Sequence, residues 1–139
     1  MTFNYSICHP NKRAIEYRND AISGEDVLKI AQNYPWLEIL ASMEKIHPDS
    51  IYYSPSLDFT CIDNEKSFCL TANYNETNNL EFSLWYNRPK TVNILFGLLG
   101  KKEKMVVDDI WSIDFEKALH YLEHFVNGNY DVIEALYEK

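Results

Sequence analysis

The sequence predicts an α+β domain: an antiparallel meander sheet of about five strands, packed by an N-terminal and a C-terminal helix pair. Three observations predict it. Leu80, Phe82, Leu84 and Tyr86 alternate with Glu81, Ser83, Trp85 and Asn87, which is the period-two pattern of a strand with one buried face. Similar runs stand around it at 57–62, 67–74, 91–96 and 104–111. Before and after this block, apolar residues recur at helical spacing instead.

The elements follow in order. Phe3, Tyr5 and Ile7 alternate, and Pro10-Asn11 offers a turn, so residues 2–18 allow an N-terminal hairpin without requiring one. Ser23-Gly24-Glu25-Asp26 has the form of a capping box and opens a helix whose apolar face is Val27, Leu28, Ala31 and Tyr34. Pro35 lacks an amide hydrogen and separates this helix from the next, whose stripe is Trp36, Ile39, Leu40 and Met43. Residues 47–56 form a loop with two prolines. The first meander hairpin turns at Asp63–Lys66, with Cys61 expected opposite Phe68, and the second turns at Asn75–Asn79. Arg88-Pro89-Lys90 reads as a third turn. Met105, Val107 and Asp109 alternate with Val106, Asp108 and Ile110 in the last strand. Asp114 then caps a helix with Phe115, Ala118, Leu119, Leu122, Phe125 and Val126 on one face, which Asn127-Gly128 stops. Residues 130–137 make a short final helix. No linker, repeat or low-complexity tract divides the chain, so residues 1–139 read as one domain.

Composition bounds the function classes. A chain of 139 residues buries roughly 68% of its unfolded surface and needs no disulfide or metal to fold. The first ten residues lack a charged segment followed by an apolar one, so the expected location is the cytoplasm. No apolar run is long enough to span a membrane. The formal charge of −8 discourages nucleic acid and anionic lipid as partners and suits a basic protein instead. Cys8, Cys61 and Cys69 are an odd set; register places Cys61 and Cys69 on opposite sheet faces, so free thiols are expected.

Few motifs carry chemistry. His120-Tyr121-Leu122-Glu123-His124 matches the H-x-x-E-H helix of inverted zincins, where two imidazoles one turn apart hold zinc and a carboxylate activates water. A small metal-dependent hydrolase is therefore an alternative reading. The apolar stripe of this helix centres on Leu122 and Val126, however, so His120 and His124 point to solvent. Gly97–Lys102 loosely matches a phosphate loop but has two residues between its glycines where four are needed; Leu98-Leu99 at its tip is expected to be buried. Trp85 stands on the polar side of its strand. The N-terminal helices are expected to cover that face and make Trp85 core; an interface anchor is the other reading. From Met105 to Glu138 there are eight carboxylates and one base, Lys117, a net charge of −7.

Asp108-Asp109-Ile110-Trp111-Ser112-Ile113-Asp114-Phe115-Glu116-Lys117-Ala118-Leu119, running on to Phe125-Val126-Asn127-Gly128, resembles immunity proteins of bacterial polymorphic-toxin and contact-dependent inhibition systems. The likeness lies in a last strand, a short polar step and a helix reading Glu-x-Ala-Leu. It implies a small acidic cytosolic protein that is not an enzyme and neutralises one cognate toxin domain, expected to be a basic nuclease, by occluding its active site. An acidic adaptor or nucleic-acid mimic is a further alternative. The residues expected to meet the partner are Asp108, Asp109, Trp111, Asp114, Glu116 and Glu123; no cofactor and no metal is expected. Protein purified without a His-tag should accordingly carry no stoichiometric zinc by elemental analysis, and one zinc per chain, lost in His120→Ala, would overturn this reading.

Overall fold

The structure, a computed structural model, describes residues 1–93 and 100–138. It is α+β. The elements run β1 (Phe3–Cys8), β2 (Glu16–Ile22), α1 (Gly24–Asn33), α2 (Trp36–Met43), β3 (Ser56–Cys61), β4 (Ser67–Tyr74), β5 (Leu80–Asn93), β6 (Lys101–Ile113), α3 (Phe115–Val126) and α4 (Tyr130–Tyr137). Six strands form one antiparallel sheet in the order β2-β1-β3-β4-β5-β6. The N-terminal hairpin is thus real and brings the strands to six instead of about five. It joins the sheet at β3, because β1 pairs with both β2 and β3.

All four helices lie on one face. Phe3, Ile7, Leu57, Phe59, Cys61, Phe68, Leu70, Ala72, Phe82, Leu84 and Tyr86 point into that face and are buried with Val27, Ala31, Trp36, Leu40, Ala118, Leu122, Phe125 and Ile133 from the helices. Phe82 joins three elements. The Trp36 ring of α2 meets it edge-on with centroids 5.0 Å apart, and the Phe115 ring of α3 stacks on it at 5.4 Å. Phe125 of α3 stacks on Phe68 at 5.6 Å and tilts against Phe3 at 5.9 Å. Aromatic pairs in these geometries contribute beyond the area they bury.

Local chemistry fixes the helix ends. Ser23 Oγ accepts from the Asp26 amide at 3.1 Å and Asp26 Oδ2 accepts from the Ser23 amide at 3.3 Å, which completes the capping box. A Cβ at Gly24 would stand 3.1 Å from Val126 Cβ, so glycine lets α1 approach α3 closely. Asp114 Oδ1 accepts from the Lys117 amide at 2.8 Å at the start of α3. At its end the Asn129 amide donates to His124 O and the Gly128 amide to Phe125 O, with Gly128 at φ 75°: a Schellman stop.

The sheet departs from the expected pattern in three places. Phe59, two residues before Cys61, lies opposite Phe68. The turn, residues 62–66, absorbs the shift: Glu65 adopts φ 63° and donates its amide to Cys61 O, and the Cys61 amide donates to Lys66 O. Parity survives, and Cys61 is buried on the helix side while Cys69 faces the other way. Arg88-Pro89-Lys90 is not a turn; β5 runs straight through it. Past Asn87 β5 has lost its pairing with β4 and pairs with β6 alone, and an edge strand tolerates proline. The Leu98-Leu99 tip and the end of the strand expected over 91–96 lie outside the described residues. The third departure is a bulge. Leu84 pairs with Ile110 but Phe82 with Ile113, so Trp111 and Ser112 together oppose Ser83, and Ser112 takes φ 65°.

Phe82→Ala is expected to destabilise the fold by about 3–5 kcal/mol, because it removes a fully buried ring at the junction of β5, α2 and α3. Urea unfolding measures it, and a loss under about 1 kcal/mol would contradict this packing.

Candidate functional site

With every helix on one side, the opposite face of the sheet is uncovered. Its residues follow from the register. One row runs across the strands as Tyr17, Ser6, Asp58, Cys69, Trp85 and Asp109. The next runs Cys8, Ser56, Thr71 and Ser83, ending at the bulge. The floor is small and polar, and much of it is internally satisfied. Ser56 Oγ lies 3.0 Å from Thr71 Oγ1, and Trp85 Nε1 donates to Ser83 Oγ at 3.0 Å.

On this floor stands an exposed apolar cluster. Met105 is 45% exposed, Val107 57% and Trp111 55%. The Trp111 ring meets half-buried Trp85 edge-on at 5.7 Å, and its Nε1 donates to Asp109 Oδ2 at 2.6 Å. The helices therefore do not cover Trp85; it lies half-buried on the uncovered face. The bulge is the reason that Trp111 joins it. Ile110 and Ile113 both pack against the core, and three residues cannot keep both inside in a regular strand. The extra residue at 111–112 returns Ile113 to the core and leaves Trp111 outside.

Acids dominate the charges on this face. Over β1, β3, β4, β5 and β6 from Glu103 onward they are Asp58, Glu81, Glu103 and Asp109, and the register carries the same face on to Lys101, opposite Asn93 at the far end of the ribbon. Arg88 is on the other side: it is 11% exposed, with Nη1 2.6 Å from Asp108 Oδ2 and Nε 3.5 Å from Glu134 Oε1 on α4. The Arg88–Asp108 contact is a close ion pair without hydrogen-bond alignment. Asp58 is different. Its Oδ1 is closed off from solvent and has no hydrogen-bond partner, while the residue as a whole stays partly exposed. Burial pushes its carboxyl up to about 6. Burial, and secondarily the Asp58 charge, also raises the Cys8 and Cys69 thiols.

The six residues expected at the partner interface do not form one patch. Asp109 and Trp111 share the open face and a hydrogen bond. Asp108 faces the helices and is engaged by Arg88. Asp114 is occupied as a helix cap. Glu116 and Glu123 line a groove of ≈ 360 Å³ between α1 and α3, with Leu28, Gln32, Leu119 and His120. His120 is exposed there and His124 half-buried, with their rings 4.6 Å apart. Among the described residues no three His, Cys, Asp or Glu side chains are grouped to hold a metal ion. Asp58 was legible only as one acid among several, because its isolation depends on which residues β1 and β4 set beside it.

Asp58 also gives a test of this face. Its folded-state carboxyl lies above the ordinary aspartate range, so ionising it opposes folding. Below about pH 4 the group is protonated folded and unfolded and costs nothing. As pH rises through about 6 the folded state ionises and the full penalty appears. Asp58→Asn should therefore stabilise the protein by about 1–3 kcal/mol at pH 8 and by nearly nothing at pH 4. Urea unfolding at the two pH values checks it, and an equal effect at both would contradict the assignment.

Comparison with known protein families, with curated proteins and with solved structures finds no match.

Proposed function

We propose that the chain is an immunity protein: a binding protein that neutralises a cognate basic toxin domain, taken here as a nuclease, by covering its active site with the helix-free face of the sheet. The observation that carries the reading is the row of exposed apolar residues Met105, Val107 and Trp111 along one face of β6, with Trp85 against Trp111 and the acids Glu103 and Asp109 interspersed. Scattered exposed apolar residues need no explanation, but contiguous ones rimmed by charge mark a protein contact. Tryptophan is the side chain most enriched among interface hot spots.

Size is compatible with this. Six strands at about 4.8 Å spacing by eight residues at about 3.3 Å give a face of roughly 600 Å². A standard interface takes about 800 Å² from each partner, so the face with its rim suffices. The charge of −8 supports a basic partner, and the resemblance over 108–128 supports the immunity class and with it a cytoplasmic site of action. The interface is carried by Asp109, Trp111 and Trp85, whereas Asp108 and Asp114 serve the fold.

Binding kinetics against a toxin domain encoded by a neighbouring gene, at several salt concentrations, test the reading, and the absence of any such gene counts against it. Trp111→Ala should weaken binding by about 30-fold or more without loss of stability, since the indole is exposed in the free protein. Asp109→Lys should slow association and flatten its salt dependence over the range in which the Debye length falls from about 30 Å to about 8 Å. No binding to that domain overturns the immunity assignment; binding that both variants leave unchanged moves the contact off this face.

A further inference from the structure

The row Asp58–Cys69–Trp85–Asp109 runs straight across β3, β4, β5 and β6. At about 4.8 Å per strand its two carboxylates stand roughly 14 Å apart, with the Trp85 indole between them. Asp109 is exposed and already accepts a hydrogen bond from Trp111. Asp58 is recessed: its Oδ1 is closed off without a partner, and because the residue stays partly exposed an incoming cation meets it from the open side. The register neighbours that face it are Asn4, Ser6 and Cys8 from β1, Ser56 and Thr60 from its own strand, and Ser67, Cys69 and Thr71 from β4. No Lys, Arg or His is among them, and among the described residues no α-helix packs on this side. The only titratable neighbours, Cys8 and Cys69, are thiols that stay neutral in the range where Asp58 ionises.

A carboxylate kept out of water without a counter-charge is normally replaced or paired. From these contacts we infer that Asp58 is a binding residue in its own right: it takes a Lys or Arg side chain of the basic partner, while Asp109 takes a second one roughly 14 Å away, so that the partner is recognised by two cations flanking an apolar contact to Trp85. This rests on the docking role of the open face proposed above and gives it a spacing. Complementary charges at fixed separation set register and reject partners whose cations are spaced otherwise.

The spacing can be probed without the natural partner. In an extended peptide, side chains four residues apart lie on one side and about 13 Å from each other. The probe is the acetylated, amidated pentapeptide Arg-Thr-Val-Thr-Arg, and the control is Arg-Thr-Arg-Thr-Val, with the same composition and half the spacing. Binding to the full chain is followed by amide and carboxyl-carbon NMR. The probe should bind about fivefold tighter than the control, shift the Asp58 and Asp109 carboxyl signals and lower the Asp58 titration midpoint. The advantage should vanish in Asp58→Asn and in Asp109→Asn and persist in Glu116→Gln, which removes the same charge from α3. Equal affinity for the two peptides, with shifts confined to Trp85, Trp111 and Asp109, overturns the role of Asp58 and leaves the docking face standing. Absence of any shift on the open face overturns both.

Discussion

The phase of side-chain alternation along β3, β4 and β5 is the constraint on which the rest of the molecule depends. Leu57, Phe59, Phe68, Leu70, Phe82, Leu84 and Tyr86 are fully buried, and all point to one side. A sheet so patterned has one face that must be kept dry and one that need not be. Four helices serve the dry face, and their own apolar stripes are used up there, on Phe82, Phe68 and Phe3. None of the four helices is left to cover the second face. That face is built instead of short polar side chains that bond among themselves, such as Ser56 with Thr71 and Trp85 with Ser83.

A surface left over by the core is not yet a binding surface. What distinguishes this one is the way the end of β6 is arranged. Two isoleucines three apart, Ile110 and Ile113, are both drawn to the core, and a bulge at Trp111-Ser112 satisfies them. The arrangement places a non-glycine residue, Ser112, at φ 65°, which is unfavourable by about 1–2 kcal/mol. In return the indole of Trp111 is held outside against Trp85 and fixed by its hydrogen bond to Asp109. An aromatic anchor ordered before the partner arrives loses little entropy on binding. The same bulge interrupts the regular ladder of the exposed edge strand, which discourages indiscriminate strand addition.

The legible and illegible parts of the sequence divide along a physical line. Periodicities of two and 3.6 reported the central strands and all four helices, and cap chemistry at Ser23, Asp114 and Gly128 reported their ends, because these signals are local. Pro89 misled, since proline marks a turn only where the strand would otherwise be paired on both sides, and β4 had already ended. Trp85 misled for a similar reason: whether a strand's polar side is covered depends on where helices from both ends of the chain dock. Of the six residues expected at the interface, Asp109 and Trp111 came together because they are two apart on one strand. Asp108, Asp114, Glu116 and Glu123 were grouped by sequence distance and sign of charge, neither of which decides the face on which a side chain emerges.

The two recessed charges of the sheet show how electrostatics separates fold from function here. Arg88 is almost as secluded as a core residue, and the chain neutralises it twice from within, through Asp108 and Glu134, with the Tyr86 ring beneath it at 4.9 Å. Removing both acids would leave a secluded cation without a partner, so both belong to the fold. Asp58 has no such provision, although the chain holds 13 Lys and Arg residues. Several of these cluster in sequence at Arg88, Lys90, Lys101, Lys102 and Lys104, around the two-stranded ribbon beyond β4 and away from the row that contains Asp58. A free carboxylate there weakens the isolated protein. The free energy withheld from folding at Asp58 is recovered when a cation comes from outside, and that differential is what a docking face needs in order to prefer one partner over another.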